Sequence, residues 1–82
     1  MITHKDTWNA IERLATDYGL SCSGLARKGG LNPTTFNKSK RIFSTGQERW
    51  PSLYSISKIL NALNLTMQDF SKYFPDKKHT AQ

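Results

Sequence analysis

At 82 residues the chain is long enough for one hydrophobic core and no more. With 37% hydrophobic and 22% charged residues it has the composition of a folded domain and is too apolar for a disordered segment. Its net charge of +6 favours a polyanionic partner, and no apolar run approaches the roughly 20 residues that a bilayer-spanning helix requires.

The first element is expected from about Asp6 or Thr7 to Tyr18, where Trp8, Ile11, Leu14, Ala15 and Tyr18 recur at three- and four-residue steps on one helix face. Asp6 is placed to accept from free backbone N–H groups at its start, Trp8 reads as a core anchor, and Gly19 is a natural stop. A second helix follows from Ser21, an N-cap, through Leu25 and Ala26 to about Lys28, and Gly29-Gly30 ends it. Asn32-Pro33 then has the form of an N-cap followed by proline at the first helical position, which predicts a short third helix over Thr34 to Lys38, fraying near Ser39 to Arg41.

Residues Ile42 to Pro51 have no sustained period and contain Ser44-Thr45-Gly46, so they read as a loop with at most a brief extended or turn-like piece. Beyond Pro51, Ser52 and the apolar series Leu53, Ile56, Ile59, Leu60 and Leu63 predict a fourth helix ending near Asn61 and Asn64. Thr66 and Asp69 have the spacing of a capping box and open a last helix through Phe70, Tyr73 and Phe74, which Pro75 stops. The expected fold is all-α, a compact bundle of about five short helices over residues 1–75, with 76–82 a polar tail or the start of a linker to a further domain.

Chemistry of the catalytic or metal-binding kind has little to stand on. Cys22 is the single cysteine, the two histidines, His4 and His79, lie near opposite ends, and no carboxylate pair sits among apolar residues. Neither an enzyme nor a cofactor is expected. Met1 to Asp6 lacks the apolar core of a signal peptide, so the expected location is cytoplasmic, with no membrane partner.

The charge is unevenly spread. Arg27, Lys28, Lys38, Lys40, Arg41 and Arg49 face only Glu48 between positions 27 and 49, whereas the rest of the chain is close to balanced. Two short helices meeting steeply need a small residue at their approach, a glycine in the turn and inward apolar side chains, and Ala26, Gly30, Leu31 and Phe36 fit those roles. Thr34, Thr35, Asn37 and Lys38 are then left on or beside the outward face of the third helix, as short polar groups and a cation able to meet base edges in the major groove.

The segment from Cys22 to Ser39 resembles the helix-turn-helix of the phage-repressor (Cro/CI-type, Xre) family, and the helical order from about Trp8 to Phe74 follows the same plan. The runs Leu31 to Asn37, Ser39-Lys40-Arg41 and Arg49-Trp50-Pro51-Ser52 look like the N-terminal domain of LexA-like or phage-repressor-type regulators whose other half is a self-cleaving serine peptidase, which would lie outside this chain. The resemblance implies a lambda-repressor-like DNA-binding fold and a transcriptional regulator, most simply a repressor. Its partner would be double-stranded DNA with a two-fold or pseudo-palindromic operator, bound as a homodimer in a full-length protein.

It also implies roles for single residues. Pro33, Thr34 and Lys38 align with base contacts, with Thr35 and Asn37 beside them; Ser21 and Ser23 fall where the family holds a phosphate; Lys40, Arg41 and Arg49 would neutralise further phosphates from the loop. Gly29 and Ser39 stand where such motifs usually carry apolar side chains, so the third helix is expected to be short; Pro33 at a base-facing position offers only van der Waals contact, so shape readout is expected to matter more. Trp50 is expected to pack against the core, Tyr54 and Lys58 to form a solvated face, and Tyr73 and Phe74 stand open as packing or dimer residues. The alternative reading is a helical protein-interaction module, an antitoxin or adaptor, whose basic loop meets an acidic partner.

Overall fold

The computed structural model describes residues 2–75, so the expected tail over 76–82 lies outside the described residues. Within them the chain is all-α: α1 (His4–Asp17), α2 (Cys22–Lys28), a 3₁₀ turn (Lys38–Lys40), α3 (Leu53–Ala62) and α4 (Met67–Ser71). None of the helices is long and apolar enough to cross a membrane.

Local sequence accounts for where each helix begins. Ser21 caps α2 by accepting from the Gly24 N–H at 3.0 Å, and Ser52 caps α3 by accepting from the Ser55 N–H at 3.0 Å. Capping boxes start both α1 and α4. Thr3 and Asp6 form one pair and Thr66 and Asp69 the other, each side chain accepting from its partner's backbone N–H. The Thr66 bonds to the Asp69 carboxylate stabilise its charged form and hold its pKa below the ordinary value. Helix α1 therefore starts two or three residues earlier than the apolar spacing predicts, because Thr3 is the cap and Asp6 its third residue.

Three helices end in the same way, with the chain turning left-handed and the next amide reaching back five residues. Gly19 (φ 69°), Gly30 (φ 75°) and Asn64 (φ 60°) take the left-handed position after α1, α2 and α3. Leu20, Leu31 and Leu65 then donate to Ala15, Ala26 and Leu60. Gly29 has an ordinary φ of −83° and is glycine for another reason: a Cβ there would sit 3.0 Å from Ile59 Cγ2 and 3.2 Å from the Ile59 backbone. The end of α2 thus lies directly on α3, and Ile59 fills the space that a side chain at position 29 would take.

The core gathers Trp8, Ile11 and Leu14 of α1, Leu25 and Ala26 of α2, Ile56, Ile59 and Leu60 of α3, Phe70 of α4, and Phe36 from the connection between α2 and α3. Phe36 is fully buried at 0% exposure and meets Trp8 edge-on at 6.4 Å between centroids. Tyr73 and Phe74 pack on this core from beyond α4; the Tyr73 hydroxyl donates to Asp17 at 2.5 Å and the Phe74 ring meets Phe70.

Candidate nucleic-acid interface

Where the sequence predicts a third α-helix, residues 32–41 form a succession of turns. Thr35 donates to the Asn32 carbonyl, Asn37 to Thr34, Lys40 to Asn37 and Arg41 to Lys38, every bond spanning three residues. Asn32 opens the segment as an N-cap would: its Oδ1 accepts from the Thr34 N–H at 2.9 Å, and also from the Thr34 hydroxyl at 2.8 Å. The Thr35 hydroxyl donates to the Asn32 carbonyl at 2.6 Å, a bond that Ser57 and Ser71 make inside α-helices of this chain. The course leaves any helix at Asn37, which is extended (φ −64°, ψ 154°), and the two β-branched residues before it add little helical preference.

Buried Phe36 pins this segment from below and leaves its neighbours at 34 and 37–39 facing out. Thr34, Asn37, Lys38 and Ser39 are exposed, and Pro33, Thr35 and Lys40 are half-buried. Both threonine hydroxyls donate their hydrogens to Asn32, so each offers an approaching molecule only an acceptor. The Ser21 and Ser23 hydroxyls lie 3.1 Å apart at the start of α2.

Residues 41–49 form a short hairpin. Ile42 and Glu48 make an antiparallel bridge, Arg49 donates to the Arg41 carbonyl at 2.9 Å, and Gly46 (φ 89°) turns the tip. Its base is bolted to α1. His4 Nε2 lies 2.8 Å from the Arg41 carbonyl and 3.1 Å from the Arg49 carbonyl, two groups that can only accept, so this nitrogen is assigned the hydrogen. The Trp8 indole N–H lies 3.0 Å both from that nitrogen and from the Arg49 carbonyl, and with a hydrogen on His4 Nε2 it donates to the carbonyl.

Arg41 does not join the outward cations. Its guanidinium pairs with Glu12 at 2.6 Å, donates to the Phe36 carbonyl at 3.2 Å and lies 4.9 Å over the Trp8 ring, leaving its side chain only 15% exposed. Cys22 neighbours this pair: burial first, then the Glu12 carboxylate, pushes its thiol above the ordinary pKa, against the pull of Arg41. Trp50, expected in the core, is 48% exposed and meets the His4 ring edge-on. Tyr54 is exposed and Lys58 half-buried on α3.

Thr35, Lys40 and Arg49 are brought together around one open cavity of about 290 Å³, which Phe43, Trp50 and Ser52 also line. A second hollow of about 280 Å³ is lined by Lys5, Lys38 and Ile42 together with His4 and Arg41. The hairpin contributes a wall to each, Phe43 to the first and Ile42 to the second. His4 and Glu12 are the participants that sequence reasoning passed over. The four-residue step from His4 to Trp8 was the available signal for His4, since it puts both rings on one face of α1.

No protein-family model matches the chain, and neither a characterised protein nor a solved structure matches it. Among the described residues, no group of three or more His, Cys, Asp and Glu side chains is placed to hold a metal ion.

Proposed function

We propose that the chain binds double-stranded DNA sequence-specifically as a transcriptional regulator of the phage-repressor (Cro/CI-type, Xre) kind, most simply a repressor. The observation that carries this reading is the outward face of residues 33–40: exposed Thr34, Asn37 and Lys38 stand on a segment anchored by buried Phe36, next to the cavity that gathers Thr35, Lys40 and Arg49. Rigid short polar groups flanked by cations are what reading base edges between two phosphate rows requires.

The engaged hydroxyls sharpen the proposal. As acceptors only, Thr34 and Thr35 suit the exocyclic amino groups of adenine or cytosine, and the Asn37 carboxamide suits the N6 and N7 positions of adenine. Lys38 supplies a donor to guanine or to phosphate, and Pro33 only van der Waals contact. Ser21, Ser23, Lys40 and Arg49 hold phosphates, whereas Arg41 acts as a positioning residue that fixes the hairpin base against α1 and Phe36. A face this small covers few base pairs, so genomic specificity calls for two copies on a two-fold operator.

Selection from random duplexes followed by salt-dependent binding tests the reading. A preferred sequence that survives competitor DNA, with affinity falling steeply as salt rises, is the expected outcome. Sequence-blind binding, or tighter binding to an acidic protein, would transfer the basic face to the protein-interaction alternative, which the exposed Ile42, Phe43 and Trp50 side chains favour.

A further inference from the structure

The cavity between the hairpin and the start of α3 has a composition that a bare anion site would not need. Lys40 and Arg49 supply two cations, the Thr35 and Ser52 hydroxyls give their hydrogens to the Asn32 carbonyl and to Ser55 and so leave the phosphate to the cations, and Phe43 (47% exposed) and Trp50 (48% exposed) supply aromatic surface on the same walls. The Arg49 guanidinium lies 5.3 Å over the Phe43 ring, so charge and apolar surface are held side by side. A phosphate alone would use the cations and leave the rings wet, and an apolar ligand would leave the cations without a partner. At about 290 Å³ the space is at the small end of ligand sites, too small for a dinucleotide cofactor.

We propose that this cavity seats one sugar-phosphate unit, the phosphate between Lys40 and Arg49 and the sugar against Phe43 and Trp50. The hairpin is then the second arm of the interface, clamping a backbone unit beside the bases that the 33–38 turns meet. His4 and Trp8 hold both strands of the hairpin at its base, which fixes the clamp relative to those turns. The inference rests on the DNA reading for the source of that unit, since a free nucleotide carries the same chemistry.

Both tryptophans of the chain, Trp8 and Trp50, line the cavity, so indole fluorescence reports its occupancy directly. The full chain is titrated with the selected duplex, with deoxyribose 5-phosphate, with inorganic phosphate and with a poly-glutamate peptide, while amide shifts are followed by NMR. The duplex and deoxyribose 5-phosphate are expected to shift the amides of Lys40, Phe43, Arg49 and Ser52, with inorganic phosphate about tenfold weaker than the sugar phosphate for want of the sugar's C–H surface against the rings. Phe43→Ala is expected to weaken duplex binding about tenfold, through the apolar surface it no longer covers, while the duplex still shifts Thr34 to Lys38. Phe43 is outside the buried core, and an unchanged melting curve verifies the fold; Lys40→Gln provides the second variant.

Duplex shifts confined to Thr34 to Lys38 would overturn the cavity assignment and leave the DNA reading standing. Sugar phosphate filling the cavity while no duplex binds would do the reverse, retaining the seat as a site for a free nucleotide. Inorganic phosphate or poly-glutamate binding there as tightly as the sugar phosphate would overturn the sugar-specific seat.

Discussion

Arg41 and Lys38 are cations three residues apart with opposite fates. Lys38 is exposed, whereas Arg41 is enclosed by Glu12, the Phe36 carbonyl and the Trp8 ring. Arg41→Ala therefore removes packing as well as charge and is expected to destabilise the fold by about 1 to 3 kcal/mol, with Glu12 partly in water to moderate the loss. Lys38→Ala should leave the melting temperature in place and weaken specific DNA binding by about 1 to 3 kcal/mol if it meets a base. A thermal melt and a binding titration on each variant separate the two roles; equal stability of wild type and Arg41→Ala would contradict the assignment. At the other end of the molecule the Asp17 carboxylate accepts from Tyr73 and holds the phenol neutral, raising its pKa from 10 to about 12. The native state keeps this proton more tightly than the unfolded chain, so the contribution is full below pH 10 and fades as the pH climbs towards 12. Ultraviolet titration should show one tyrosine ionising near that value, and Asp17→Asn should bring it back towards 10.

Among the elements, the junction of α2 with α3 is the most sensitive to a single added carbon. Gly29→Ala drives a Cβ towards the Ile59 backbone, which cannot swing aside as a side-chain tip would, and should cost about 1 to 3 kcal/mol. Gly30→Ala meets no neighbour and suffers only its left-handed backbone, about 1 kcal/mol. Denaturant midpoints for the pair test whether space or conformation governs each glycine. Helix starts were legible because their causes are local: Ser21, Ser52 and the Thr66–Asp69 pair cap helices through bonds to residues within a single turn. The third helix misled because Asn32-Pro33 governs only a start: Asn32 accepts from the Thr34 amide as a cap does, yet the bonds that follow reach back three residues and Asn37 is extended. Arg41 was illegible because its partners Glu12 and Trp8 are brought to it only by the folded chain.

At the scale of the whole molecule, positive charge is concentrated from the last turn of α2 through the turns and the hairpin, and with Arg41 turned inward the remaining cations there are Arg27, Lys28, Lys38, Lys40 and Arg49. On the proposed reading these cations neutralise phosphates and affinity falls with salt, and removing a cation that neutralises one phosphate should flatten a plot of log affinity against log salt by about one unit. Arg49→Ala is expected to do so, while Arg41→Ala at a temperature where it remains folded is expected not to. The most direct measurement of the central claim is an amide-shift map of the full chain on its selected duplex. Shifts are predicted to concentrate at Ser21 to Ser23, Thr34 to Lys40 and Phe43 to Ser52, with the α4 side of Asp17 and Tyr73 undisturbed. Shifts centred on α4, or none at Thr34 to Lys38, would contradict DNA binding through this face.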